Sequence, residues 1–388
     1  MKKIWSLVAS VGLVLGITGC GATTQPTPNI SNSANPAPEA GDLVFVSLPN
    51  EEDERWTRDG AELRRVITEA GYKVDLSFAE NKIDRQNTEI ENAITKGAKI
   101  MVIAAKNGTS LVSSVDKARA AGIKVIAYDR LIMDTSAVDY YLSFKLETIG
   151  QAQAQYIIDK LGLAKGEKGP FNVELFSGSS DDNNAKFYFR GAWELLQPYF
   201  ANGTLVSPSN RVNENFSAEQ WQSISIDSWK LENAQKEMEI RLSKYDEGRT
   251  ALHAVLSPSD AISQGVINAL RDSSFSQWKP GSEQWPWITG QDATNYALYN
   301  INQNLQGQTV WKDTRELANK TAEVCIQILE GETVSTDSSM NNNVLDVPSV
   351  FLDSVPITKT GESDAPGTQP VQFVIDSGFT TAEQLKQY

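Results

Sequence analysis

The sequence predicts an α/β protein made of two lobes, each an open parallel sheet with helices on both faces. Three observations predict it. Short apolar runs alternate with helix-period stretches from residue 43 onward, and the alternation restarts near residue 172. The length of 388 residues, 40% hydrophobic and 22% charged, suits two or three ordinary soluble cores. In order, Leu43 to Leu48 reads as a buried strand, and Leu63, Val66, Ile67 and Ala70 recur at helical spacing before Gly71 stops the helix. Lys73 to Phe78 alternates as a strand, Ile90, Ala93 and Ile94 mark a helix stopped at Gly97, and Ile100 to Ala104 is a third strand. Leu111, Val112 and Val115 mark a helix, and Ile123 to Tyr128 is a fourth strand. The second run comprises Asn172 to Phe176, a helix through Ala192 to Leu196, a helix from about Leu231 to Tyr245, Ala254 to Leu256, a helix over Ile262 to Leu270, and Pro286 to Thr289. Strands joined through helices pair in parallel, so both lobes are expected to be Rossmann-like.

Composition excludes several function classes. The balance of 35 Lys+Arg against 49 Asp+Glu gives a net charge of −14, which repels polyphosphate, so no nucleic acid partner is expected. One histidine, His253, and two cysteines, Cys20 and Cys325, cannot supply a Cys₂His₂ zinc site. No metal, cofactor or internal disulfide is expected, and Cys325 reads as a small buried residue of a helix spanning Glu316 to Gly331.

The N-terminus carries an export signal. Met1-Lys2-Lys3 is basic, and Ile4 to Thr18 is an apolar stretch of roughly 15 residues, too short for an ordinary membrane span. It ends in Ile17-Thr18-Gly19-Cys20, which resembles the lipobox of bacterial lipoproteins, with Cys20 lipidated and first in the mature chain. Residues 1–19 are then the signal peptide, and 20–41, rich in Asn, Ser, Pro and Ala, a flexible tether.

Open parallel sheets gather ligands beyond the carboxyl ends of their strands. In the first lobe those positions hold Glu54-Arg55-Trp56, Lys106-Asn107-Gly108 and Asp129-Arg130. In the second they hold Ser177 to Asn184, Ser257-Pro258-Ser259-Asp260 and Gly290-Gln291-Asp292. No glycine-rich phosphate cradle stands there, which argues against nucleotides. Carboxylates, guanidinium groups and amides beside an aromatic plate suit a neutral polyhydroxylated ligand, because each hydroxyl donates and accepts while the ring's C–H face lies on the plate. Read singly, each has a plainer role too: Asp129-Arg130 as a local ion pair, Trp56 or Trp229 as core, Asp181 to Asn184 as a helix cap.

From about Leu43 to the C-terminus the chain resembles the periplasmic sugar-binding proteins of ABC transporters, of the type I two-lobe class, above all the xylose-binding and multiple-monosaccharide-binding branch. The likeness runs through Glu54-Arg55-Trp56, Ala127-Tyr128-Asp129-Arg130-Leu131-Ile132, Asp182-Asn183-Asn184-Ala185, Trp229 with Glu232-Asn233-Ala234, Gly290-Gln291-Asp292-Ala293, Lys312 and Val347-Pro348-Ser349. It implies that Arg55, Asp129, Arg130, Asn184, Asp292 and Lys312, with Asp260 at the same rim, hold ring hydroxyls, and that Trp56 and Trp229 sandwich the ring. Two positions depart from the pattern. Ser143-Phe144-Lys145-Leu146 stands where Ser-Phe-Asp-Asn is usual, altering a hinge or pocket-floor contact, and Ser259 replaces an Asn.

The resemblance also implies a hinge crossed three times, near Ser143, Lys312 and Val347. The N-terminal lobe is then 42–143 plus 313–346, and the C-terminal lobe 144–312 plus 347–388. The expected protein is a monomer, lipid-anchored outside the cytoplasm, that captures a monosaccharide of the xylose, arabinose, glucose or galactose type for an ABC permease. Glu51 to Glu54 forms either a docking patch for that permease or a solvated loop. A sugar-sensing receptor for a membrane kinase or chemoreceptor is the alternative. A glycosidase using Asp129 and Asp292 is disfavoured, since Arg130 and Lys312 should keep both carboxylates ionised.

Overall fold

The computed structural model describes residues 41–388 except 247, 248, 273 and 364. The expected signal peptide, Cys20 and the tether up to residue 40 lie outside the described residues. Among the described residues no helix is long and apolar enough to cross a membrane.

The first lobe opens with β1 (Leu43–Leu48), α1 (Glu54–Glu69), β2 (Lys73–Phe78), α2 (Ile83–Thr95), β3 (Ile100–Ile103), α3 (Val112–Ala120), β4 (Lys124–Tyr128) and β5 (Tyr140–Phe144). Side chains alternate across a strand, and β1 shows the consequence. Val44, Val46 and Leu48 pack on one face with Leu63 and Ile67 of α1, while Phe45 packs on the other with Ala93 and Val115. Helix α1 stops where expected: Gly71 takes φ +94°, a conformation that L side chains rarely adopt.

The chain then crosses to the second lobe, with α4 (Leu146–Lys160), β6 (Phe171–Leu175), α5 (Asn183–Ala201), β7 (Leu205–Val206), α6 (Leu231–Leu242), β8 (Ala254–Leu256), α7 (Asp260–Asp272), β9 (Trp287–Ile288), α8 (Asn295–Asn302) and β10 (Gln308–Trp311). It returns for α9 (Thr314–Leu329), β11 (Ser338–Asn341) and β12 (Asp346–Leu352). It ends with β13 (Val355–Thr358), β14 (Gln369–Pro370), α10 (Val371–Asp376) and α11 (Ala382–Leu385). Cys325 of α9 is fully buried against the first-lobe core, and burial pushes its thiol pKa up.

The first-lobe sheet has the order β11-β12-β5-β4-β3-β1-β2, parallel except for the β11–β12 edge pair. The second lobe holds the parallel sheet β7-β6-β8-β9 and the small sheet β10-β13-β14. The chain passes between the sheets of the two lobes at Lys145 after β5 and at Lys312-Asp313 before α9. It does not do so at Val347. Ser349 to Leu352 pair in register with Tyr141 to Phe144 of β5, so the segment after residue 346 belongs to the first lobe. The chain crosses instead at Asp353-Ser354, before β13 joins β10.

Candidate functional site

Loops at the carboxyl ends of the strands converge between the lobes on a cavity of about 290 Å³. Arg55 reaches it from the first turn of α1, directly after β1. Its guanidinium lies 2.6 Å from Asp129 Oδ1 and 3.5 Å from Asp59 Oδ2, and extends to 3.8 Å from Asp292 of the second lobe. Lys312, 1% exposed at the second crossing, holds the same Asp292 oxygen at 2.8 Å. Burial works against ionisation at Asp129, but the charges of Arg55, Lys312 and Arg130 outweigh it and hold the carboxyl below its ordinary range. Burial likewise opposes the charge on Arg55, and Asp129, Asp59 and Asp292 overcome it, raising its pKa well above the usual value.

The Asp129 backbone is held firmly. Its φ is +59°, and its carbonyl accepts from Tyr141 and Ser143 hydroxyls at 2.9 and 3.0 Å and from Asn184 Nδ2 at 2.8 Å. Arg130 turns across the cleft to Asp182 at 3.0 Å. Trp56 lies under both guanidinium groups, 4.5 Å from that of Arg55 and 5.1 Å from that of Arg130. Trp229 is half-buried in a short turn before α6, edge-on to Tyr188 with centroids 6.4 Å apart. Gly178 makes room for its ring, because a Cβ there would sit 1.9 Å from the indole.

Arg55, Trp56, Asp129, Arg130, Trp229, Asp292 and Lys312 thus meet around one cavity. Two predicted residues do not line it. Asn184 is 1% exposed and spends its amide on the Asp129 carbonyl and the Tyr141 hydroxyl, so it braces the lobes together. Asp260 begins α7 and points inward, where it accepts from Gln306, Thr309, and the Thr294 N–H and hydroxyl at 2.8 to 3.1 Å. Its carboxylate supports the cavity wall from behind.

Sequence reasoning missed Tyr188 and Tyr296, which line the cavity beside Gln291 of the Gly290-Gln291-Asp292 turn. Tyr188 stands four residues after Asn184 on α5, so helical spacing could have found it. The acidic Glu51 to Glu54 run is only half exposed. Glu54 accepts from Asn295 Nδ2 of the second lobe at 2.8 Å and pairs with Arg58, which leaves Glu51 and Glu52 facing solvent. The Lys145 departure is also placed: its Nζ pairs with Asp353 at 2.6 Å between the first and third crossings, so the change lies in the hinge and not in the cavity floor.

Two α/β lobes linked by three crossings and closed over a polar cleft with aromatic walls define a two-lobe solute-binding protein. The periplasmic binding protein domain matches residues 44–333. The chain is 38% identical over 347 residues to the multiple sugar-binding periplasmic receptor ChvE of Rhizobium radiobacter, covering 88% of this chain and 92% of that one. It is 32% identical over 332 residues to the D-xylose-binding periplasmic protein of Escherichia coli K12, covering 86% and 89%. The crystal structure of an ABC transporter solute-binding protein from Clostridium phytofermentans with bound β-D-glucose matches with a TM-score of 0.79 at 36% identity, covering 89% of this chain and all of that one. The chain belongs to the periplasmic binding protein family.

Proposed function

We propose that this protein captures one monosaccharide ring of the glucose or xylose type between its lobes and delivers it to an ABC sugar permease. The observation that carries the reading is the cavity itself. At about 290 Å³ it lies at the small end of ligand pockets, which typically span ~300–1,000 Å³, so it suits a single ring. The Arg55–Asp129 and Lys312–Asp292 pairs are set to exchange hydrogen bonds with hydroxyls, and Trp229 supplies an apolar plate. Two buried atoms of wall residues, Trp229 Nε1 and Gln291 Oε1, have no hydrogen-bond partner among the described residues, and sugar hydroxyls are the kind of partner they lack. The relatives named for sugars are binding proteins, which favours capture over hydrolysis. Asp129, held ionised at neutral pH, is unsuited to donate a proton to a leaving group.

A thermal-shift panel of pentoses and hexoses tests the reading, since a ligand of the native state stabilises it by RT ln(1 + [L]/Kd). D-glucose or D-xylose should raise the midpoint. A panel in which no sugar moves it overturns the proposal. The resemblance of Ile17-Thr18-Gly19-Cys20 to a lipobox further supports attachment through acyl chains on Cys20 to the membrane that holds the permease. Cys20→Ser should leave sugar binding intact and move the protein to the soluble fraction; retention in membranes contradicts the anchor.

A further inference from the structure

We propose that Lys106 and Asp181 form a clasp that holds the lobes shut from outside the cavity, and that Asp181 seats the Trp229 wall as they close. The inference takes its ligand from the sugar reading above, but its observations are separate. Lys106 follows β3 in the first lobe and is 5% exposed; Asp181 lies in the loop after β6 in the second. Their side chains pair across the cleft, and the Gly108 N–H donates to the Asp181 carbonyl at 3.2 Å. Neither residue lines the cavity.

The other Asp181 oxygen accepts from the Ser179 hydroxyl at 2.6 Å, and Ser179 Oγ accepts the Ser228 N–H at 2.8 Å. Ser228 and Trp229 take φ values of +55° and +59°. A turn of that kind persists only when its surroundings hold it. Here one holding contact leads back, through Ser179, to the interlobe pair. The same loop continues to Asp182, which grips Arg130, and to Asn184, which grips the Asp129 carbonyl. Residues 179–184 therefore clamp the ends of β3 and β4 while placing the indole.

A contact made only in the closed form shifts the open–closed equilibrium, and apparent affinity scales with the closed fraction. Losing the clasp should weaken every accepted sugar by one common factor. Discrimination stays with the cavity residues. Lys106 and Asp181 are positioning residues in this account.

The test compares wild type with Lys106→Met, Asp181→Asn and the double variant by calorimetry with D-glucose and D-xylose. Each single variant should lose roughly 5- to 30-fold in affinity for both sugars. The ratio between the sugars should hold, and the double variant should be little worse than either single one. Ser179→Ala should leave the lobes pairing but reduce the tryptophan fluorescence change on binding. A changed sugar ratio, additive losses or unchanged affinities overturn the clasp. Spin labels on Arg119→Cys and Glu219→Cys, exposed and one in each lobe, report lobe separation without sugar. Lys106→Met should shift their distances toward the longer value, and identical distributions count against the clasp. A wild-type protein that binds neither sugar overturns the sugar reading instead, and the label distances then decide the clasp.

Discussion

Asp129 carries two separate duties, one through its backbone and one through its carboxylate. The positive φ and the three donors on its carbonyl fix where the residue points, and they do not depend on its charge. The carboxylate balances Arg55, whose side chain is 10% exposed and whose guanidinium also faces Asp59 and Asp292. Asp129→Asn separates the duties, since Asn tolerates a left-handed backbone and leaves the carbonyl bonds in place. Sugar binding should fall by about 1.5–3 kcal/mol, or roughly ten- to more than a hundredfold, because hydroxyl contacts lose a charged acceptor and Arg55 loses its nearest partner. Calorimetry checks the affinity, and the unliganded thermal midpoint reports on the fold. Unchanged affinity removes the Asp129 carboxylate from the site.

Among the elements, the α4–α5 pair is the tightest link between packing and cleft. Gly150 of α4 faces the Tyr188 carbonyl and Gly191 of α5 faces the Glu147 carbonyl, and a Cβ would come within 1.9 and 2.1 Å of them. The helices must part if either glycine gains a side chain. Gly191→Ala should therefore cost about 1–3 kcal/mol, read as a lower urea midpoint with an unchanged slope, and should displace Tyr188 on the cavity wall. A midpoint equal to wild type contradicts this packing. The βα units of the first lobe are legible in the sequence because each strand is followed by a helix with its own period and a glycine stop at Gly71 or Gly97. Strand β5 breaks that rhythm, since it follows β4 through a loop without a helix, and the third crossing is hidden because only Asp353 and Ser354 separate β12 from β13. The Lys145–Asp353 pair at this hinge is 50% and 82% exposed, so it adds little stability and marks the crossing more than it holds it.

Taken as a whole molecule, the protein spends buried charge on both its site and its framework, and the two respond oppositely to pH. Position after a strand brings Arg55, Asp129 and Asp292 to the rim, but it does not tell which way a side chain turns. Asp260 shows the difference: it starts α7 directly after β8 and so faces the layer beneath the cavity. Burial and then the Asp292 charge push its pKa up to about 7, against the pull of donors from Gln306, Thr294 and Thr309. A raised carboxyl pKa means that the folded state binds a proton the unfolded chain has released. Its stabilising contribution is therefore full below the unfolded value near 3.8 and is lost as pH rises through about 7. Asp129, with a lowered pKa, contributes above its ordinary range and loses that contribution on acidification. Asp260→Asn isolates the first term, because the amide is neutral at every pH and its imperfect fit against four donors costs the same throughout. The stability of wild type relative to Asp260→Asn, from urea unfolding, should fall steadily from pH 4.5 to pH 7.5. Parallel curves over that range would show that the Asp260 carboxyl is already ionised in the folded protein at the acid end, held there by its donors against the pull of burial.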